Sequence, residues 1–250
     1  MALESKDPVA FVPTMGALHA GHESLIKIAR EKSNQVLVSI FVNPLQFESH
    51  EDLANYPRTP EVDIKIAERA GATKVWLPTF EEIYPQDPEI IPAGPIGEVF
   101  EGVHRFGHFD GVLTVVKRLF DLVNPNFAVF GEKDFQQLFL IRQMVAKYKL
   151  PVEIIAAPII READGLALSS RNFRLSAKGR KSALVISKAL REGGGDLVEI
   201  KKILASESGF TLDYAEVIDA QTFERATSDT SIKRVIIAGW VEGVRLLDNA

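Results

Sequence analysis

Short apolar runs and longer helix-period segments alternate over the first two thirds of the chain. Runs such as VAFVP (9–13) predict β-strands, and amphipathic segments such as GHESLIKIAREKS (21–33) predict helices. This alternation is typical of a parallel sheet covered by helices, so we predict an α/β domain. The other predicted strands are 35–43, 74–78, 127–134 and 152–160, and the other predicted helices are 60–71, 111–125 and 135–150.

The pattern changes after Arg171. A helix-like segment, 176–195, ends in three consecutive glycines, which favour a turn, and three short strand-like runs follow it. We therefore predict two domains, a main α/β domain over 1–175 and a small α+β domain over 176–250. The three strand-like runs are 213–220, 234–241 and 243–248.

The charge balance argues against a nucleic-acid partner. The chain has 29 Lys and Arg against 34 Asp and Glu, a formal net charge of −5, and no dense basic block. A broad nucleic-acid surface needs clustered positive charge, whereas a nucleotide needs only a local phosphate site. We therefore expect small-molecule ligands and no nucleic acid.

The absence of cysteine excludes disulfides, thiolate catalysis and cysteine-ligated zinc. Residues 1–13 lack the basic start and apolar run of a signal peptide. The longest apolar run, 36–42, is far below the roughly 20 residues that a membrane helix needs. These features predict a cytoplasmic protein without a membrane partner.

Two histidines, His19 and His22, follow the first predicted strand and stand at the start of the first predicted helix. Open α/β sheets bind ligands at the carboxyl ends of strands, and helix N-termini attract anions. Histidines three residues apart lie on one side of a turn, where ring N–H groups can donate to phosphate. Two other interpretations stay open: one histidine caps the helix while the other is solvated, or the pair supplies two ligands to zinc.

The motif GEKD follows another predicted strand. Gly131 lets backbone approach a ligand, Lys133 offers a point charge for phosphate, and Asp134 can accept hydrogen bonds from ribose hydroxyls. A polar turn without a binding role is the alternative.

The motif SSRN groups hydroxyl groups with a guanidinium. Ser169 and Ser170 can donate short hydrogen bonds, and Arg171 offers a planar fork, which together suit a triphosphate. The alternative is a helix cap before a surface helix.

Single polar residues between these motifs give weaker indications. Gln46 and Gln137 can both donate and accept, which suits a hydroxyacid, but either can be an ordinary exposed side chain. Asp63, in the first turn of a predicted helix, can contact magnesium through phosphate or be solvated. The loop HRFGHFDGV (104–112) carries Arg105 and His108, and this basic loop can contact phosphate or only lead into the next helix.

Six motifs, taken in order, closely resemble the pantoate–β-alanine ligase family, and the likeness runs from Ala10 to Asn249. The element HAGH (19–22) resembles the HIGH-type signature of the nucleotidyltransferase superfamily, and SSRN (169–172) occupies the place of its KMSKS-type loop. The six motifs are PTMGALHAGH, SIFVNPLQF, YPRT, GHFDGVLTVVKRLF, GEKDFQQL and ALSSRN.

The resemblance implies a Rossmann-like N-terminal domain, a small C-terminal domain that closes over the site, and a homodimer. It also implies that ATP and pantoate react with Mg²⁺ to give pantoyl adenylate and pyrophosphate. The amine of β-alanine then attacks the adenylate and releases pantothenate and AMP. The implied cofactors are ATP, as a substrate, and Mg²⁺.

The resemblance further implies roles for individual positions. His19, His22 and Lys133 match the catalytic contacts to ATP phosphates, Asp63 matches a magnesium-associated acid, and Arg105 matches a loop arginine. The matched ATP-binding residues are Met15, His19, His22, Gly131, Lys133, Asp134, Ile160, Leu168, Ser169, Ser170 and Arg171. The matched pantoate-binding residues are Pro13, Thr14, Met15, Gln46, Tyr56 and Gln137.

Three positions depart from the family pattern. Leu168 stands where the family usually has methionine, a volume-conserving change. Phe106 replaces a proline and removes a fixed φ from its loop. Val62 takes a place that is often acidic in relatives, which leaves Asp63 as the remaining carboxylate.

Two other functions stay compatible with the sequence. A nucleotidyltransferase of the same superfamily would leave the nucleotide on its product and need no amine. A nucleotide-binding sensor or interaction module would have lost the chemistry, although every matched phosphate-contact position is filled. Release of AMP that depends on both pantoate and β-alanine separates the three functions.

Overall fold

A computed structural model describes residues 7–48 and 50–250. Backbone contacts divide the chain into two compact units. The first unit contains the described residues up to Glu132 together with Gln136–Pro158, and the second contains Lys133–Phe135 together with Ile159–Ala250.

The first unit is built on a five-stranded parallel sheet in the order β3-β2-β1-β4-β5. Its strand order reverses between β1 and β4, which is the order of the Rossmann half-fold, and helices connect its parallel strands. The predicted fold class is confirmed. The strands are β1 (Val9–Thr14), β2 (Gln35–Ile40), β3 (Lys74–Trp76), β4 (Phe127–Gly131) and β5 (Glu153–Ala157).

The core of the sheet comes from β1 and β2, whose apolar residues pack against the first helix. Val12 and Val38 are partners in the parallel register, and both are fully buried in one cluster with Ile26. The helices that follow the strands are α1 (Ala20–Lys32), α2 (His50–Ala54), α3 (Pro60–Ala70), α4 (Phe80–Ile83), α5 (Glu101–His104), α6 (His108–Val123) and α7 (Phe135–Tyr148).

Several sequence-predicted boundaries of the first unit are wrong, and two of them have a clear local reason. The predicted strands 127–134 and 152–160 also stop early, at Gly131 and Ala157. The predicted strand 35–43 stops at Ile40, because Asn43 accepts from the backbone N–H of Leu45 and caps a short 3₁₀ turn, Pro44–Gln46. The helix predicted from residue 111 begins at His108, directly after Gly107 in the left-handed conformation.

The second unit packs two helices against a three-stranded antiparallel sheet in the order β6-β7-β8. Its core joins Ile186 and Leu204 from the helices to Ile237 from the sheet. The second helix was not predicted from the sequence, although Asp196 caps it. The elements are α8 (Ala177–Glu192), α9 (Leu197–Ala205), β6 (Thr211–Asp219), β7 (Lys233–Val241) and β8 (Val244–Asn249).

The division into units differs from the predicted boundary after residue 175. Residues 159–175 group with the second unit because Leu166 belongs to its hydrophobic core. In addition, the Arg161 guanidinium donates to both carboxylate oxygens of Asp248, and Arg161 pairs with Ala167 in an antiparallel bridge.

Gly111 in α6 has no room for a side chain, since an added Cβ would lie 2.2 Å from the carbonyl oxygen of Leu45. A glycine-to-alanine change inside an open helix stabilises by about 1 kcal/mol. We expect Gly111→Ala to do the reverse and lower the free energy of unfolding by about 1–3 kcal/mol, as overpacking does. Urea unfolding measures the change.

Gly179→Ala in α8 is a milder comparison, because its Cβ would meet only the end of the exposed Glu242 side chain. That side chain can rotate away, at the cost of its hydrogen bonds to Ser176. A stabilising effect of Gly111→Ala, equal to the open-helix value, would contradict the packing between α6 and the Pro44–Gln46 turn.

Candidate active site

The turn between β1 and α1 carries the first group of predicted site residues. Thr14 ends β1, and its hydroxyl donates to the carbonyl of Ser39 on the neighbouring strand (2.7 Å). Gly16 and Ala17 then adopt positive φ values of 87° and 50°, which turn the chain sharply towards α1. A left-handed alanine is strained by roughly 1–2 kcal/mol, so a specific contact must stabilise this turn.

His19 and His22 form a reciprocal cap at the start of α1. The backbone N–H of Gly21 donates to Nδ1 of His19 (3.1 Å), and the backbone N–H of His19 donates to Nδ1 of His22 (3.3 Å). An imidazole nitrogen that accepts carries no proton, so in the neutral ring the proton of each histidine is on Nε2. The centroids of the two rings lie 4.2 Å apart. With its proton on Nε2, each ring can donate a hydrogen bond from that nitrogen.

The carboxylate of Asp63 supplies the contact that the turn needs. Its Oδ2 accepts from the backbone N–H of Ala17 (3.0 Å), and its Oδ1 accepts from that of Leu18 (2.8 Å) and from the hydroxyl of Thr59 (3.2 Å). The side chain is almost fully buried, with 1% of the residue exposed. Both oxygens are therefore engaged within the protein.

These contacts test the fit of a magnesium ion. Mg²⁺ prefers carboxylate oxygens in octahedral geometry, but the oxygens of Asp63 already serve three donors. Within 7–48 and 50–250, no three or more His, Cys, Asp or Glu side chains are grouped so that they could hold a metal. The described residues thus do not fit a magnesium site built by the protein, and the contact of Asp63 with Mg²⁺ stays a prediction.

A buried polar network orients Gln46. The Nε2 of Gln46 contacts the sulfur of Met15 (2.9 Å), and its Oε1 accepts from Nδ2 of Asn43 (3.2 Å). Asn43 also donates to the carbonyl of Gly111 (3.0 Å), and the ring Nδ1 of His108 lies 2.9 Å from the carbonyl of Gln46. Gln46 and Met15, both predicted pantoate-binding residues, are therefore in direct contact.

Tyr84, the residue directly after α4, belongs to the same polar network. Its hydroxyl donates to Oδ1 of Asn43 (3.3 Å), and burial raises the pKa of the phenol, against an opposing effect of Arg118. The phenol therefore stays protonated and remains a donor. Sequence reasoning missed Asn43 and Tyr84, although the Asn-Pro dipeptide marks a turn that an asparagine side chain can cap. It named His108 only as a possible phosphate contact, whereas the ring lies against the carbonyl of Gln46.

The remaining predicted residues of the first unit are less constrained. Tyr56 is half-buried and packs edge-on against Phe47, with ring centroids 5.5 Å apart. Gln137 is half-buried, whereas its neighbour Gln136 is buried and holds the loop at residues 96–101 through three backbone groups.

Three other predicted residues lie at or near the ends of regular elements. Pro13 is half-buried within β1. Gly131 is the last residue of β4 rather than part of a turn, and Arg105 follows α5.

The second unit brings together three of the predicted phosphate-binding residues. Lys133, Ser169 and Arg171 line one cleft. The backbone carbonyl of Lys133 accepts from Nδ2 of the buried Asn249 (2.8 Å), and the Lys133 ammonium lies 3.6 Å from the carboxylate of Asp134. Hydroxyl, guanidinium and ammonium groups in one cleft are the donors that a phosphate chain requires.

The SSRN segment is both a cap and a wall of this cleft. The hydroxyl of Ser169 accepts from the backbone N–H of Arg171 (3.2 Å) and caps a 3₁₀ helix, Ser170–Arg174. The backbone N–H of Leu168 donates to the carbonyl of Ile160 (2.9 Å), which links two further predicted ATP-binding residues.

Asn172 connects that segment to a charged cluster. Its Nδ2 donates to Glu162 (3.1 Å) and to the carbonyl of Ala167 (3.0 Å). Arg180 donates to both Glu162 and Asp164, and its hydrogen bonds to Glu162 lower the pKa of that carboxyl. Through its bond to Glu162, Asn172 ties the adjoining Ser169–Arg171 segment to this charged cluster.

The sheet order, the paired histidine donors and the basic cleft define an α/β protein equipped to bind a phosphorylated ligand. A family model described as pantoate-beta-alanine ligase matches residues 1–250. The chain belongs to the pantoate–β-alanine ligase family. It is 49% identical to the pantothenate synthetase of Acidothermus cellulolyticus, over 97% of this chain and 84% of that protein.

Solved structures agree with this family. A pantothenate synthetase from Thermus thermophilus superimposes with a TM-score of 0.92 at 42% identity, covering 98% of this chain and 94% of that one. A pantoate-beta-alanine ligase from Francisella tularensis, complexed with beta-gamma ATP and beta-alanine, gives a TM-score of 0.85 at 37% identity, covering 100% and 91%. None of the helices in the part of the chain that the structure describes is long and apolar enough to span a membrane.

The charged cluster predicts a pH-dependent contribution to stability. Hydrogen bonds from Arg180 lower the pKa of Glu162 below its ordinary value of 4.5. The stabilisation is therefore complete above that value and is lost as the pH falls through the lower, folded-state pKa. At pH 7 we expect Glu162→Gln to lower the melting temperature by about 2–4 °C, equivalent to about 1 kcal/mol for a chain of this size.

Thermal unfolding between pH 7 and pH 3 measures this effect, with Glu192→Gln at an exposed position of the same unit as the control. The difference between Glu162→Gln and the unsubstituted protein should narrow below pH 4.5 and then vanish. A difference that is constant down to pH 3 would show that charge is not its cause.

Proposed function

We propose that the chain joins pantoate to β-alanine with cleavage of ATP to AMP and pyrophosphate, through pantoyl adenylate. The observation that carries this proposal is the match of the ligase family model to the whole chain, residues 1–250. The ligand-bound relative from Francisella tularensis supports ATP and β-alanine as two of the three substrates.

The reaction needs positioning and charge stabilisation rather than a protein nucleophile. A carboxylate oxygen of pantoate attacks the α-phosphorus of ATP, and the bond to pyrophosphate breaks. The amine of β-alanine then attacks the acyl carbon, loses a proton, and displaces AMP. Negative charge develops on phosphate oxygens in the first step, where fixed N–H donors in a water-poor site are most effective.

We assign the donors of the first step to His19, His22 and Lys133. The two Nε2–H groups are oriented by the reciprocal cap, which costs no reorganisation during the reaction. Lys133 shares its cleft with Ser169 and Arg171. The other proposed ATP contacts are Met15, Gly131, Asp134, Ile160, Leu168 and Ser170, and the proposed pantoate contacts are Pro13, Thr14, Met15, Gln46, Tyr56 and Gln137.

Three further features stay proposals. We propose that ATP binds as its complex with Mg²⁺, with the ion held by phosphate oxygens and water. The active form is proposed to be a homodimer, which sedimentation equilibrium tests. The location is proposed to be the cytoplasm, which cell fractionation tests.

A single assay separates this function from the two alternatives. AMP should appear only when ATP, pantoate and β-alanine are all present. An enzyme that links the nucleotide to pantoate would consume ATP without the amine and release no AMP. A binding module would bind ATP and produce neither product.

Substitution of His22 distinguishes a donor from a helix cap. In His22→Asn, the side-chain oxygen takes the place of Nδ1 and still accepts from the His19 N–H, but the donor at Nε2 is lost. We expect adenylate formation to fall by about 10²–10³-fold, the usual cost of losing one such donor, with the melting temperature nearly unchanged. Single-turnover release of pyrophosphate measures the rate.

His22→Gln is the converse variant, since its amide nitrogen can replace Nε2 while the Nδ1 acceptor is lost. It should retain more activity than His22→Asn and lose more stability. If His22→Asn forms pantoyl adenylate at the original rate, His22 is a cap and has no catalytic role.

A further inference from the structure

We propose that Asp63 is a positioning residue for adenylate formation, and that its carboxylate holds the turn before His19 and His22 rather than a magnesium ion. This inference rests on the proposed function for its kinetic part only. Its structural part stands on the contacts of the described residues.

The Asp63 carboxylate accepts hydrogen bonds from two consecutive backbone N–H groups. The N–H groups of Ala17 and Leu18 point at separate oxygens of the one carboxylate, at 3.0 and 2.8 Å. Successive N–H groups that converge after left-handed residues form an anion-binding concavity. In this chain the anion is the carboxylate of Asp63, which lies in α3, 46 residues after Ala17.

The carboxylate is itself held in place. Thr59, which precedes α3, donates its hydroxyl to Oδ1 of Asp63 (3.2 Å). A Cβ built on Gly16 would lie 3.0 Å from Oδ2, so the turn and the carboxylate are packed closely together. A shift of Asp63 would therefore move Ala17 and Leu18.

The turn leads directly to the histidines. Leu18 is followed by His19, which caps α1 and donates its own N–H to His22. The direction of both Nε2–H groups depends on where α1 begins, and the bonds from Asp63 fix the two residues before that point. A misplacement of about 1 Å at reacting groups can reduce a rate by about 10²-fold.

The first test is kinetic and uses Asp63→Asn, with Glu61→Gln as the matched control. Both residues lie in the first turn of α3, and Glu61 is exposed. As a positioning residue, Asp63→Asn should lower the rate of pyrophosphate release by about 10²-fold, with the Mg²⁺ concentration for half-maximal rate unchanged. A raised Mg²⁺ requirement, with the rate restored by excess Mg²⁺, would overturn the proposal.

Thr59→Val is a milder variant that keeps the carboxylate and removes one of its tethers. It should lower the same rate by a smaller factor, again without changing the Mg²⁺ requirement. This variant keeps the proposal testable if Asp63→Asn folds poorly. An unchanged rate in Thr59→Val together with a Mg²⁺-rescued Asp63→Asn would assign the carboxylate to the metal.

The second test does not depend on activity. Hydrogen exchange of the Ala17 and Leu18 amides is measured by NMR in Mg²⁺-free buffer without substrates. These amides should be protected in the unsubstituted protein and in Glu61→Gln, and should exchange faster in Asp63→Asn by at least about tenfold, relative to the amides of β1. Equal exchange in all three proteins would overturn the proposal. If AMP formation does not depend on pantoate and β-alanine, the proposed function fails, but the exchange result still decides the role of Asp63.

Discussion

Parallel pairing of β1 with both β2 and β4 determines where ligands can bind in the first unit. The chain runs outward from β1 through β2 to β3 on one side, and β4 and β5 lie on the other. At such a reversal of strand order the connections leave towards opposite faces, so a crevice opens beyond the carboxyl ends of the two central strands. Thr14 ends β1 and Gly131 ends β4, which explains why predicted ligand contacts follow both strands.

Capping and the proposed ligand binding are compatible roles for one side chain. His19 and Ser169 each cap a helical segment with an acceptor atom. For histidine, using Nδ1 as the cap leaves the ring proton on Nε2, so the cap creates the donor that phosphate binding requires. For serine, the hydroxyl oxygen accepts from the backbone while its proton can still be donated. Spacing alone presented these roles as alternatives, because it cannot show which ring nitrogen faces the backbone.

The sequence predicted what local patterns encode. Strand and helix periods identified β1, β2 and α1, and motif order identified the family. It could not predict contacts between distant segments, such as Asn43 with Gly111 across 68 residues. The hairpin around Leu166 belongs to the second unit because of its long-range packing, which no composition change marks. Helix α9 was missed because it is short and follows a glycine-rich turn.

The Asp63 carboxylate and the turn after β1 stabilise each other. A buried carboxylate without donors is very unfavourable, and a left-handed Ala17 costs roughly 1–2 kcal/mol. Hydrogen bonds to a charged group contribute about 1.5–3 kcal/mol each, so two of them offset the strain of the turn. Neighbouring Val62 is 55% exposed and Asp63 only 1%, since adjacent helix residues point in directions about 100° apart. An apolar residue at position 62 therefore leaves this interaction intact, and the proposed dependence of His19 on Asp63 does not require an acid there.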